Sequence, residues 1–62
     1  MYKIQQKTKN GWQDVRDLRR SNRPIVFFNT PEEAVRWRIK IMGVGSSHWT
    51  RIVDTEKMTV IA

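Results

Sequence analysis

The sequence predicts a small α+β fold: an antiparallel sheet of roughly four to five strands with one α-helix packed across one face, in the order β-β-(β)-α-β-β. Three observations predict it. Tyr2 to Lys7 alternates in strand fashion and runs into Asn10-Gly11, a strong hairpin signal. Thr30-Pro31-Glu32-Glu33 opens an amphipathic stretch that closes at Gly43. His48 to Asp54 then alternates again.

In the first strand Tyr2, Ile4 and Gln6 point one way and Lys3, Gln5 and Lys7 the other, giving a half-buried strand with a basic outer face. Asn10-Gly11 suits the central positions of a two-residue type I′ turn. Trp12 opens the second strand. Val15 and Leu18, three apart, cannot share one face of a regular strand, which implies a bulge between Asp14 and Asp17 or a strand that ends by Arg16. Leu18 to Pro24 reads as a basic loop, and Pro24 favours an extended entry to the next element. Ile25 to Phe28 is a short apolar run that suits a buried strand.

The helix is expected over Pro31 to Met42. Thr30 is the N-cap, Pro31 sits at N1, Glu33 completes a capping box, and Gly43 supplies a left-handed residue after the last turn. At 100° per residue, Ala34, Trp37 and Ile41 form one apolar stripe and Val35, Ile39 and Met42 another, with Arg38 between them. A charge there either lays its aliphatic stem along the core edge, with the guanidinium in water, or belongs to a contact surface. Val44 to Ser47 reads as a flexible connection. In the strand after it, Trp49, Arg51 and Val53 share one face and His48, Thr50 and Ile52 the other. Asp54 to Lys57 has turn chemistry, and Met58 to Ala62 forms a last short strand.

A chain of 62 residues is expected to form a single domain, residues 1–62, near the lower limit for independent folding. It has no cysteine, so its three tryptophans, two phenylalanines and one tyrosine must supply much of the burial. The N-terminal run carries no apolar segment of the signal-peptide kind, and no apolar run approaches the ~20 residues of a membrane span. The expected setting is therefore the cytoplasm of a host cell, with no membrane partner.

Catalysis is not expected. His48 is the single histidine, and Ser46 and Ser47 beside it do not form a prearranged nucleophile–base pair. Asp14 and Asp17 lie among arginines, which suits ion pairing better than acid–base work. Gly43-Val44-Gly45 follows a helix, the wrong end for phosphate. One histidine and no cysteine make a poor metal donor set, and no cofactor motif is present.

Cationic side chains interleaved with aromatics are the better lead. The net charge is +6, and Lys3, Lys7, Lys9, Arg16, Arg19, Arg20 and Arg23 all precede Pro24, with Trp12 among them. Such a surface neutralises phosphates, or grips carboxylates through arginine forks. Arg38, Arg51 and Trp49 are candidates to add a hot spot to it.

Two resemblances rest on these residues. Gly11-Trp12, then Arg16, then a short apolar strand, then Phe28-Asn29-Thr30-Pro31-Glu32-Glu33-Ala34 resembles the sheet-then-helix DNA-binding domains of plant ethylene-response factors. The run is also similar to the arm-binding N-terminal domains of phage integrases. Both lay a three-stranded sheet in the major groove, which implies Lys3, Lys7, Trp12, Arg16 and Arg19 as contacts. His48 to Ala62 adds a hairpin those domains do not require. Hairpin, capped helix and following hairpin together resemble small stand-alone phage proteins, among them anti-CRISPR inhibitors and phage inhibitors of host RNA polymerase. In some of these an arginine of the post-helix strand contacts the host target, and Arg51 is the matching position here.

The function expected is that of a non-enzymatic phage or mobile-element accessory protein. It would bind a host protein or nucleoprotein complex through its basic surface, and inhibit or redirect it. The alternative is a module that binds DNA or RNA directly, contacting phosphates and major groove with the basic sheet face. A chain this small is expected as a monomer or a small homo-oligomer.

Overall fold

The computed structural model describes residues 1–62. Five strands form one antiparallel sheet: β1 (Tyr2–Thr8), β2 (Gly11–Asp14), β3 (Phe27–Phe28), β4 (Thr50–Asp54) and β5 (Thr59–Val60). The spatial order is β2-β1-β4-β5, and β3 pairs with the start of β1 on the β2 side. The helix α1 (Pro31–Trp37) and the turns that continue it cover one face.

β1 is central because it pairs with β2, β3 and β4. Gln5 lies opposite both Asp14 and Arg51, Lys7 opposite Trp12, and Lys3 opposite Phe27 and Val53. The β2 ladder ends at Asp14, where the Val15 amide donates to the Ile4 carbonyl. The chain then parts from β1, makes an isolated bridge between Arg16 and Ile25, and returns as β3. Leu18 lies in the intervening turn, three quarters exposed. Of the two outcomes expected around Asp14–Asp17, the strand ends.

Alternation sorts the sheet into two faces. Ile4, Val15, Phe28 and Ile52 point toward the helix and close a core around Ala34, with Tyr2, Val26, Val35, Trp37 and Met42 packed at its margin. Trp37 meets Phe28 edge-on, ring centroids 5.8 Å apart, a favoured aromatic geometry. Lys3, Gln5, Lys7, Trp12, Asp14, Arg16, Ile25, Phe27 and Arg51 belong to the other face, which no helix covers.

Several local expectations are corrected. The hairpin turn is Lys9-Asn10 rather than Asn10-Gly11. Thr8 pairs with Gly11, and only Gly11, at φ 105°, takes the positive φ. The Thr8 hydroxyl accepts from the Asn10 amide and donates to the Gly11 carbonyl, so the turn is stapled one residue early. The run Ile25 to Phe28 is not wholly buried: β3 is two residues long and alternates, with Phe28 inward and Phe27 half exposed.

The helix does not stay α to Met42. Thr30 caps it as expected, accepting from the Glu33 amide at 3.2 Å, although the Glu33 carboxylate does not return the bond. After Trp37, residues Arg38–Met42 form a π turn. The wider i to i+5 spacing brings Met42, rather than Ile41, onto the core alongside Trp37, and leaves Ile39 and Ile41 exposed. Gly43 ends the turn at φ 97°, ψ 160°, a mirror-extended conformation rather than a left-handed helical one, open in practice only to glycine. Val44–His48 is a 3₁₀ helix rather than a loose connection. The Ser46 hydroxyl donates to the Gly43 carbonyl at 2.7 Å, and β4 begins only at Thr50. β5 is shorter than Met58–Ala62, but the ladder continues through Ile61 and Ala62, both bonded to Ile52.

Candidate functional site

The uncovered sheet face is organised by a polar relay across three strands. The Lys3 ammonium lies 3.0 Å from the Asp14 carboxylate, and the Gln5 amide donates to that carboxylate at 3.0 Å. The Gln5 carbonyl oxygen in turn accepts from Arg51 Nε at 2.9 Å. Arg51 reaches across β1 and lays its guanidinium over the Trp12 ring, 4.2 Å from the centroid, as a cation–π pair. Cross-strand register explains the chain of contacts: Asp14, Gln5 and Arg51 form one row, with Trp12 and Lys7 in the next row toward the hairpin tip.

Lys7 sits in a second arrangement. Trp12 is its partner on β2, and on the other side its amide donates to the Trp49 carbonyl at 2.8 Å. Exposed Lys7 therefore has its backbone between those of two tryptophans, each about two fifths exposed. At the opposite end of the face, Phe27 is half exposed beside Lys3, and Arg16 lies across from Ile25.

The electrostatics are mixed. Burial pushes the Asp14 carboxyl up, but the Gln5 amide, the Lys3 ammonium and the nearby Arg16 guanidinium outweigh it and hold the group below its ordinary range. Lys3 is thus neutralised and mostly covered. In the loop, Arg19 grips Asp17 with Nε at 3.0 Å, so the carboxyl is lowered and the guanidinium raised. Arg16 donates to the Arg23 carbonyl at 3.1 Å, and neither it nor Arg20 or Arg23 has a carboxylate partner. Lys7, Lys9 and Arg51 are likewise unpaired with acids.

The candidates therefore separate. Lys3, Lys7, Trp12, Arg16 and Arg51 share the open face, with Lys9 at the hairpin tip. Arg19, Arg20 and Arg23 lie in the loop beyond β2. Arg38 does not join Arg51. Its guanidinium turns to the helix side, 3.5 Å from the hydroxyl of buried Thr50, whose neighbour Arg51 faces the opposite way. Trp49 is exposed at the mouth of β4. Gln5, Asp14 and Phe27 complete the face, although sequence reasoning does not single them out as contacts. Alternation with Lys3 and Lys7 is the available signal for Gln5, whereas nothing local marks Phe27 as the outward member of its pair.

No group of three histidine, aspartate or glutamate side chains stands close enough to hold a metal ion. No helix is long and apolar enough to cross a membrane. Comparison with known protein families, curated proteins and solved structures finds no match to this chain.

Proposed function

We propose that this protein is a non-enzymatic binding module, of the phage or mobile-element accessory kind its layout resembles. It docks the open face of its sheet on a host protein or nucleoprotein complex and so blocks or redirects it. The observation that carries this reading is the Arg51–Trp12 stack on the sheet face that no helix covers. Tryptophan and arginine are the residues most enriched among interface hot spots, and here they are pre-set by Gln5 and Asp14 rather than left to find a geometry on binding.

The face favours protein over bare nucleic acid. Cations alternate with Trp12, Ile25 and Phe27, and one of them, Lys3, is already neutralised by Asp14, which leaves fewer free charges for a phosphate backbone. One observation favours the alternative: Lys9, Arg20 and Arg23 carry no carboxylate partner and could contact phosphates of DNA or RNA.

A capture from nuclease-treated host lysate tests the reading, run beside a shift assay on labelled duplex at low salt. Wild-type chain is expected to retain one host complex after nuclease. Trp12→Ala and Arg51→Glu should each weaken capture by at least about 2 kcal/mol, roughly thirtyfold. Capture abolished by nuclease, together with a duplex shift that fades steeply with salt, would replace this reading with the nucleic-acid one.

A further inference from the structure

The edge of β2 is open, and a groove runs beside it. Ladder phase is set by the Val15 amide bonding to Ile4: Gln13 and Val15 turn their backbone groups toward β1, so those of Trp12 and Asp14 face away from it. No strand lies beyond them. On the helix side of that edge a groove of about 390 Å³ is floored by Val15, Leu18, Trp37, Ile41 and Met42. That is at the lower end of the roughly 300–1,000 Å³ of ligand pockets, with room for one large side chain. Leu18 and Ile41 line it while 75% and 41% exposed.

We infer that this edge takes an extended acidic segment of a partner protein as an added strand, with one large apolar side chain of that segment seated in the groove. The inference rests on the reading that the partner is a protein, and it assigns a second contact surface beside the open face. Side chains alternate across an added strand. One that lies beside Gln13 or Val15 points to the helix side, into the groove. Its neighbours along the segment lie beside Asp14 and Arg16 on the open face.

Charge decides the occupant. Asp14 is already neutralised by Lys3, while Arg16, Arg20 and Arg23 stand unpaired at one end of β2 and Lys7 and Lys9 at the other. A segment with acidic residues flanking an apolar anchor meets cations at both ends. A second copy of this chain does not fit. Antiparallel pairing of two β2 edges would set the arginine end of one against the lysine end of its mate, and like charges opposed across a strand pair are destabilising.

The test uses the chain labelled with ¹⁵N and ¹³C and a synthetic peptide of about eight residues, alternating glutamate and leucine, long enough to span the short edge. Slowed amide exchange at Trp12 and Asp14, with shifts at the Trp37 indole and the Ile41 methyls, is the expected result. The same peptide with alternate backbone amides methylated should bind at least about tenfold more weakly, because it cannot complete the ladder. Leu18→Glu, at an exposed position, should reduce binding similarly, whereas Phe27→Ala, on the open face, should leave it unchanged. Three results overturn the inference. The first is no peptide binding by a chain that still captures its host complex. The second is a set of shifts confined to the open face, which leaves the protein-binding reading standing without the edge. The third is edge amides already protected in peptide-free chain that sediments as a dimer.

Discussion

Replacing Asp14 with asparagine should cost more than an ordinary surface substitution. The carboxylate holds Lys3 and Gln5 together, and the paired side chains are only 26% and 15% exposed for Asp14 and Lys3. Breaking a buried ion pair costs about 3–5 kcal/mol, because a charge is left without its partner, and an exposed pair is worth about 0.2–1 kcal/mol. Partial burial places Asp14→Asn between these limits, at about 2 kcal/mol. Total stability for a chain of this length is roughly 3–9 kcal/mol, so the loss is a large fraction of it. By the scaling for small domains, Tm should fall by about 8–16 °C.

The assay is thermal unfolding followed by circular dichroism across pH. The native Asp14 carboxyl titrates below its unfolded value, so the native state binds fewer protons in the acid range and stability rises with pH there. The gap between wild type and Asp14→Asn should be full above about pH 5, shrink as pH falls, and close once the native carboxyl is protonated. Asp17 and Asp54 are lowered too, by hydrogen bonds from Arg19 and from the Lys57 and Glu56 amides respectively, so subtracting the variant curve is what isolates Asp14. A second check is the double variant Lys3→Met/Asp14→Leu. It should be less destabilised than the two single changes added together, with a coupling of about 1 kcal/mol or more. A loss below about 0.5 kcal/mol, or a gap that persists undiminished into strong acid, would refute the claim that this pair organises the open face.

Other outcomes turn on single positions. Thr30→Ala removes the hydroxyl that accepts from the Glu33 amide and should cost about 1 kcal/mol, read as a lower urea midpoint at unchanged slope. Gly43→Ala should cost about 1–3 kcal/mol in the same assay, although an added methyl meets no atom there, because φ 97° with ψ 160° is hostile to any side chain. Met58, exposed at φ 54° in the turn capped by Asp54, should behave oppositely. Met58→Gly should raise stability by about 1 kcal/mol through relief of left-handed strain, and a loss would mean that its side chain packs in solution.

Local chemistry in the sequence is enough to place the cap, the proline at N1, the two alternating strands and the α+β class, because each is decided within a few residues. Strand order is not legible in it. β1 meets β4 across nearly the whole chain, and no local pattern encodes that pairing. Hence the row Asp14–Gln5–Arg51 and the stack on Trp12 cannot be assembled from sequence, although Lys3, Lys7, Trp12, Arg16 and Arg51 are each marked by charge or aromaticity. Arg38 and Arg51 look equivalent as isolated basic residues, but a one-residue alternation on β4 and the turn of the helix put them on opposite sides. The π turn escapes a 100° helical wheel because one wider turn exchanges Ile41 for Met42 at the core. Phe27 is hidden in an apolar run whose two-residue strand alternates.

The most direct test of the open face as the binding surface is a comparison of two charge-matched reversals in the same capture assay. Lys7→Glu with Arg51→Glu alters the uncovered sheet face, and Arg36→Glu with Lys40→Glu alters exposed helix positions by the same net charge. With both variants folded, the first should lose the host complex and the second should retain it at wild-type strength. Equal loss from both, or loss from the helix pair alone, would contradict the account.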